Sequence, residues 1–342
     1  MIQTAEASTT GQDSFTLRPP TEEDIPALVA LFNDCAEEEV GARPATAEEI
    51  RLGWEDPGFD VAASSRVAVE RNGVIVGHVA AYCSAPYVRN FVSAHVHPTR
   101  RGLGLGTLLT QWAEQYAGTF VGRAPADARV TVEGGAVSTF TPAIEFLRDQ
   151  HYTYVRSFYE MRIELYGPPP APAWPPGITV RSMIPKQEEE AVYRADVEAF
   201  RDHWGFVEQP FEEDFPRWLH YTRNHPHYDP DFYFLALDGD EIAGLSLCLP
   251  RDNEDPDMAW VNTVAVRRPW RRQGLALALL HHTFGECYRR GILKVGLGVD
   301  ASSLTGATRL YEKAGMQIFR QYDRYVKELR PGRDLSTQHV AE

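Results

Sequence analysis

The sequence repeats itself in order at an offset of about 165 residues, and this repeat restricts the fold more than any other feature. Four pairs of segments resemble each other: 15–20 and 177–182, 65–82 and 232–249, 91–109 and 260–280, and 143–152 and 307–316. A repeat of this length is longer than a solenoid repeat and has the size of a whole domain. The chain is therefore expected to contain one structural unit twice.

Each copy reads as an α/β unit. Two β-rich runs flank Asn72-Gly73 in the first copy and Asp238-Gly239 in the second, and such dipeptides favour hairpin turns because they tolerate positive φ. The predicted order is strand, one or two helices, hairpin, long strand, helix, strand, helix, strand. Apolar residues at helical spacing indicate an amphipathic helix after a glycine-rich turn in both copies, at Leu108, Leu109, Trp112, Ala113 and Tyr116, and at Leu280, Phe284, Cys287 and Tyr288.

A proline-rich segment, YGPPPAPAWPPG at 166–177, separates the copies. Proline fixes φ and removes backbone donors, so this segment is predicted to be a semi-rigid linker. The predicted organisation is a disordered N-terminus (1–13), an N-terminal domain (14–165), the linker, a C-terminal domain (178–330) and a polar tail (331–342).

Composition narrows the class of partner. The chain has 34 Lys+Arg against 48 Asp+Glu, a net charge of −14, which argues against nucleic acid or an anionic membrane as a partner. Its four cysteines show no CxxC spacing, so no zinc ribbon or disulfide framework is expected. No apolar run reaches the ~18 residues of a membrane helix, and the N-terminus is too polar for a signal peptide. We expect a cytoplasmic protein.

The sharpest chemical signal is a strand that runs into a glycine-rich turn and then a helix. Residues 271–276 (RRQGLA) follow the strand in the second copy, and residues 101–106 (RGLGLG) follow it in the first. Small residues let the backbone approach a ligand, and the free N–H groups of a helix N-terminus suit a phosphate. The spacing differs from a P-loop. Residues 296–301 also spell GxGxxA, but they lie inside an apolar strand and are read as coincidence.

A strand that is followed by [RQ]-x-x-G-x-[GA] and then by an amphipathic helix resembles the pyrophosphate-binding motif of the GCN5-related N-acetyltransferase (GNAT) family. Residues 307–316 resemble the second signature of that family, A-x-x-L-Y-x-x-x-G-[FM]. The motifs occur in family order, and the resemblance covers the chain apart from the linker and the polar ends. It implies two tandem GNAT-like α/β domains, each with a mixed sheet whose fourth and fifth strands splay apart.

The resemblance also implies acetyl-CoA as co-substrate, without a metal. Acetyl-CoA would lie between the splayed strands, and a backbone N–H near Val264 would bind the carbonyl oxygen as it gains charge. The residues implied in CoA binding are Val264, Ala265, Val266, Arg271, Arg272, Gln273, Gly274, Leu275, Ala276 and Ser303 in the second copy, and Arg101, Gly102, Leu103, Gly104, Leu105 and Gly106 in the first.

Tyr311, in the second signature, is the candidate general acid. A phenol with a pKa near ~10 is protonated at neutral pH and can protonate a departing thiolate. The alternative is a core tyrosine. The first copy has Leu147 at the position of Tyr311 and His151 at that of Gly315. The second domain is therefore expected to be catalytic, while the first binds CoA structurally or leaves its cleft vacant. His151 and Tyr152 are alternative acids there.

The sequence leaves several candidates for the general base and for the acceptor site. Asp257 and Asp300 are candidate bases that act through water, or simply solvated strand-end residues. In the loop at 201–206, Asp202 is predicted to attract an ammonium group, Trp204 to wall the pocket and His203 to serve as another base. Alternatively, Asp202 is an N-cap beside a packed tryptophan. His95 and His97 share a strand face but have no third ligand, so no metal site is predicted.

These features lead to an N-acetyltransferase in which a primary amine attacks the acetyl thioester directly, helped mainly by proximity. The acceptor is expected to be a small-molecule amine, with aminoglycoside-type and protein or peptide amines as alternatives. A non-catalytic acyl-CoA-binding sensor or scaffold is the rival function. The expected assembly is a monomer with an internal pseudo-dimer, or a homodimer.

Overall fold

The computed structural model describes residues 15–339 of the 342-residue chain. The segment expected to be disordered (1–13) and the end of the polar tail lie outside the described residues. The chain forms two compact units, the first from residues up to 134 and 327–332, the second from 135–326 and 333 onwards. Residues 135–165, from the first repeat, thus belong to the second unit.

The first unit contains a mixed sheet in the strand order β1-β2-β3-β4-β5, and of its described strand pairs only β4–β5 is parallel. Its helix α1 packs on one face of the sheet and α4 on the other, because alternate strand residues such as Val67 and Ala68 face opposite sides. The elements are β1 (Phe15–Arg18), α1 (Ile25–Val40), α2 (Ala47–Trp54), α3 (Val61–Ser64), β2 (Ser65–Glu70), β3 (Ile75–Cys83), β4 (Arg89–Val96), α4 (Leu105–Gly118) and β5 (Val130–Val137), whose end lies in the second unit.

The second unit contains a mixed sheet in the order β12-β6-β11-β10-β9-β8-β7, and among the strand pairs described there only β10–β11 is parallel. Helix α6 packs on one face, and α8 and α9 pack on the other. The elements are α5 (Thr141–Asp149), β6 (Thr153–Glu164), β7 (Ile178–Ser182), α6 (Glu189–Phe200), α7 (Phe211–Asn224), β8 (Tyr233–Asp238), β9 (Glu241–Leu249), β10 (Met258–Val266), α8 (Leu275–Arg289), β11 (Lys294–Asp300), α9 (Ala307–Lys313) and β12 (Gln317–Arg330), whose last residues lie in the first unit.

The predicted local structure is confirmed. Both hairpins form, with Gly73 at φ +85° and Gly239 at φ +59°. Residues 166–177 contain neither helix nor strand. Gly296 is explained by packing, because a Cβ there would lie 2.9 Å from the Trp260 ring, which supports reading GxGxxA as coincidence. Within residues 15–339, no helix is long and apolar enough to cross a membrane.

Candidate active site

The parallel strands β10 and β11 separate in the second unit. They pair from Met258 to Val261 and no further, while β10 stays paired with β9 as far as Val266. A shift of register between Val261 and Thr263 marks the point of separation. Beyond it, the edge of β10 that faces β11, including the expected residues Val264–Val266, has no strand partner among residues 15–339. This open edge can pair with an extended ligand, as the resemblance implies.

The turn between β10 and α8 has the form of a phosphate cradle. Gly274 adopts φ +85°, and a Cβ placed there meets no heavy atom within 4 Å, so open space lies beside it. Helix α8 begins at Leu275 without a side-chain cap, which leaves the N–H groups of its first turn free of a capping oxygen. Arg272, Gln273 and Ala276 complete the turn. The residues present therefore fit the pyrophosphate of an acyl-CoA.

Asp202 pairs with two arginines of this turn. Its carboxylate, 1% exposed, accepts hydrogen bonds from Arg268 (Nε 2.9 Å) and from Arg271 (Nη1 2.5 Å). Arg271 also donates to the carbonyls of Val266 and Ala199. The hydrogen bonds from both guanidinium groups hold the pKa of Asp202 at about 2. Both carboxylate oxygens are occupied, so Asp202 braces the turn and is not placed as the predicted ammonium site.

Replacing Asp202 with alanine is expected to lower the free energy of unfolding by about 2 kcal/mol or more, because two guanidinium groups lose a buried partner. Binding of CoA should weaken as the turn loosens, while the KM for the acceptor should change little. Denaturant unfolding and steady-state kinetics measure both quantities. Unchanged stability together with a raised acceptor KM would return Asp202 to the acceptor site.

Tyr311 packs in the core beside the point where β10 and β11 separate. It is 8% exposed and belongs to the hydrophobic cluster that contains Val261 and Leu297, the last residue pair before the strands separate; Val264 packs against this cluster. Burial raises the pKa of Tyr311 to about 12, so the phenol is protonated at neutral pH. Within the described part of the chain its hydroxyl has no hydrogen-bond partner. Tyr311 is thus a core residue with a free donor, which fits both interpretations of this position.

The loop after α6 gathers further polar groups at the end of β11. The guanidinium of Arg156, from β6, donates to both carboxylate oxygens of Asp300 at 2.8 and 2.7 Å and lies 4.8 Å from the centre of the Trp204 ring. Trp204 Nε1 donates to Gln338 at 3.0 Å. Burial lowers the pKa of His203, with Arg271 acting in the same direction and Asp300 and Asp202 opposing. The structure therefore brings His203, Trp204 and Asp300 together.

The remaining candidates are placed as follows. Asp257 is exposed in the turn before β10. The hydroxyl of Ser303 accepts from the N–H of Ala307 at 3.3 Å, so it supports the start of α9. His97 caps the turn after β4 by accepting from Thr99, so it does not face the same space as His95.

The first unit repeats the cradle. Strands β4 and β5 pair from Arg89 to Phe91, Gly104 adopts φ +79°, and α4 begins at Leu105 without a side-chain cap. A Cβ at Gly102 or Gly104 meets no heavy atom within 4 Å. Arg101 pairs with Glu38 at 2.6 Å, much as Arg271 pairs with Asp202.

The two repeats differ at the position of the candidate general acid, Tyr311. The N–H of Tyr152 donates to the carbonyl of Leu147 at 2.9 Å, and the N–H of Met316 donates to that of Tyr311 at 3.0 Å. Both turns contain a residue at positive φ, His151 at +64° and Gly315 at +94°. The backbones therefore correspond, and the position of Tyr311 is filled by a buried leucine that has no proton to donate.

Two side chains of β6, Arg156 and Glu160, have contacts that the local sequence does not predict. Arg156 lies on β6, which belongs to the first repeat but pairs with β11 of the second. On the same sheet face, Arg320 pairs with Glu254 (2.7 Å) and Glu160 (3.2 Å), and burial raises the pKa of Glu160. Only the exchange of β6 brings these side chains together, and residue patterns within one repeat do not report such an exchange.

Each unit thus contains separating parallel strands beside an uncapped glycine turn. The acetyltransferase (GNAT) family model matches residues 25–131 and 190–316. The chain therefore belongs to the GNAT family, with one family region in each half, and is an acyltransferase that uses an acyl-CoA donor.

Individual relatives agree with this assignment. The chain is 30% identical over 228 residues to a mycothiol acetyltransferase of Thermobispora bispora, covering 64% of this chain and 70% of that one. It is 27% identical over 320 residues to the mycothiol acetyltransferase of Salinispora arenicola, covering 91% and 94%. The structure of a GCN5-related N-acetyltransferase from Sphaerobacter thermophilus is 40% identical, with TM-score 0.75 and coverage of 95% and 98%. A tandem GNAT protein from the clavulanic acid pathway shares the fold at 15% identity, with TM-score 0.69 and coverage of 93% and 100%.

Proposed function

We propose that the second unit transfers an acetyl group from acetyl-CoA to a primary amine of a small molecule by direct attack. The observation that carries this proposal is the separation of β10 from β11 after Val261, beside the uncapped start of α8 and the buried Tyr311. Together these features supply a donor cleft, a phosphate cradle and a proton donor. All of them belong to the second unit.

The chain's own residues bind and orient the donor. Val264, Ala265 and Val266 offer the open strand edge, and residues 271–276 offer N–H groups to the pyrophosphate. Acetyl-CoA supplies an acetyl group that is already activated as a thioester, so the protein needs no covalent nucleophile. Tyr311 keeps its proton at neutral pH because its pKa is about 12, and that proton goes to the thiolate sulfur as CoA leaves.

His203 is the base that the surroundings support best. Its lowered pKa keeps the imidazole neutral at pH 7, so it can take a proton from the acceptor's ammonium group and leave a neutral amine that attacks. Asp300 is less suitable, because both of its oxygens accept from Arg156. Asp257 is exposed to solvent.

A small acceptor is favoured over a polypeptide. The chain's own tail pairs with the loop that carries His203 and Trp204: the N–H of Thr337 donates to the carbonyl of Phe206 at 2.9 Å, and the N–H of Gly205 donates to that of Thr337 at 2.8 Å. These contacts occupy backbone groups that a peptide could otherwise use. The relatives named for mycothiol also support a small-molecule amine. Aminoglycoside-type amines remain within this class.

The first unit is proposed to bind CoA without turning it over. Its cradle is intact, but the first repeat has Leu147, which belongs to the second unit, at the position of Tyr311. Gly104→Glu should therefore leave kcat within a few-fold of the parent value, while Gly274→Glu should remove turnover. Both glycines lie at positive φ with open space for the new side chain, so the two variants are matched in strain and charge. Release of free thiol from acetyl-CoA measures the difference. Equal losses in both, with the fold intact, would mean that the first unit takes part in the reaction.

A further inference from the structure

A second cavity lies in the first unit, between its sheet and the helices α1 and α2. Its volume is about 240 Å³, smaller than a drug-sized ligand site. Aromatic side chains form much of its wall, and imidazole, hydroxyl and carboxylate groups also line it. The residues that matter below are Phe32, Glu49, Trp54, His78, Ser93 and His95.

Two histidines that line this cavity carry buried, unsatisfied ring nitrogens. His78 is 6% exposed, and neither of its ring nitrogens has a hydrogen-bond partner among the described residues; the buried Nδ1 of His95 also has none. Their rings contact Phe32, at centre distances of 5.1 and 4.7 Å. Buried polar atoms are nearly always paired, because an unpaired one loses its hydration without replacement. Three such imidazole nitrogens beside one cavity therefore call for a ligand.

The second unit shows that the fold does not need these imidazoles. His78 pairs with His95 across β3 and β4, just as Leu245 pairs with Ala265 across β9 and β10. The equivalence is fixed by the glycine that precedes His78 and Leu245 in each repeat. Leu245 and Ala265 pack into the core against α6. The same two positions thus close the core in one unit and face a cavity in the other.

The polar groups of the cavity determine which class of ligand it can bind. Burial lowers the pKa of His78 to about 3 and that of His95 to about 4, so both rings are neutral at pH 7 and each offers one N–H donor and one lone pair. A hydroxyl group can satisfy both, since it donates and accepts. An ammonium group could pair with Glu49 but leaves the N–H donors of both imidazoles unpaired, and an anion leaves the lone pairs unpaired and faces Glu49.

We propose that this cavity binds a small uncharged molecule with neighbouring hydroxyl groups on a carbon ring. The hydroxyl groups pair with His78 and His95, and Phe32 and Trp54 pack on the ring. The site belongs to the first unit. It therefore stands independently of the acetyl transfer proposed for the second.

The test uses three six-membered-ring probes that differ in their polar group: cis-1,2-cyclohexanediol, cyclohexylamine and cyclohexanecarboxylate. Calorimetric titration of the full chain, with imidazole resonances followed by NMR, should show binding of the diol with shifts at both histidines. The variant His78→Leu/His95→Ala carries the residues of the second unit, so it should fold with equal or greater stability. Its affinity for the diol should fall about tenfold or more, since several hydrogen bonds are lost.

Two controls keep the outcome decisive. Gly104→Glu should leave diol binding unchanged, which separates this cavity from the CoA cradle. If the double variant fails to fold, His95→Ala alone is expected to give a smaller loss in the same direction. Preferential binding of the amine or the carboxylate overturns the proposal, and so does binding of no probe, which would mean that the cavity holds only water.

Discussion

Replacing Tyr311 with phenylalanine is expected to lower kcat by about 10²–10⁴-fold, the usual contribution of a general acid. The change keeps the ring inside the cluster formed with Val261 and Leu297, so stability and CoA affinity should stay within a few-fold. Steady-state kinetics on the true acceptor, together with calorimetric titration of CoA, measure the two quantities separately. A loss confined to kcat identifies the hydroxyl as the proton donor.

Tyr288→Phe is the matched control, because Tyr288 packs against the same cluster from α8. It should leave kcat within a few-fold. The pKa of about 12 also fixes the pH profile: an acid works below its pKa, so Tyr311 should not cause a loss of activity between pH 7 and 10. A Tyr311→Phe enzyme nearly as fast as the parent would make Tyr311 a core residue only.

Replacing Gly274 with glutamate should abolish binding of acetyl-CoA to the second unit. The new side chain enters the open space at the start of α8, where its charge repels a pyrophosphate and competes for the free N–H groups. A non-glycine residue at φ +85° also costs about 1–2 kcal/mol. Calorimetry in a Gly104→Glu background, which removes the first cradle, should detect no binding.

Gly291→Glu controls for strain and charge. Gly291 lies just beyond the other end of α8 and adopts φ +79°, and a Cβ at this position would meet no heavy atom within 4 Å. This variant should bind acetyl-CoA like the Gly104→Glu background alone. Unchanged affinity in the Gly274→Glu protein would show that the turn does not hold the pyrophosphate.

The fold of each repeat was predictable because its signals are local. Turn dipeptides marked the hairpins, and apolar spacing marked α4 and α8. The pairing of β6 with β11 was not predictable, because strand exchange depends on which edge is free in three dimensions. Arg156 and Glu160 reach the second unit only through that exchange.

In the candidate site, too, local features were predictable from the sequence and long-range contacts were not. The glycine turn was visible as a motif, and open space lies beside Gly274 in the structure. A loop aspartate beside an aromatic resembles an ammonium site, and local sequence does not reveal the two arginine partners of Asp202, which lie 66 and 69 residues away. A signal for His78 and His95 did exist: the aligned repeats place them opposite Leu245 and Ala265.

Acetylation of a small amine by the second unit is tested most directly by one measurement. The protein is mixed with acetyl-CoA and a panel of small primary amines, and both free thiol and acetylated amine are quantified. We expect equal amounts of the two products with at least one amine, at a rate that Gly104→Glu preserves and Tyr311→Phe reduces. Two results would contradict this function. In the first, acetyl-CoA binds tightly but no amine releases thiol; in the second, only a peptide amine does.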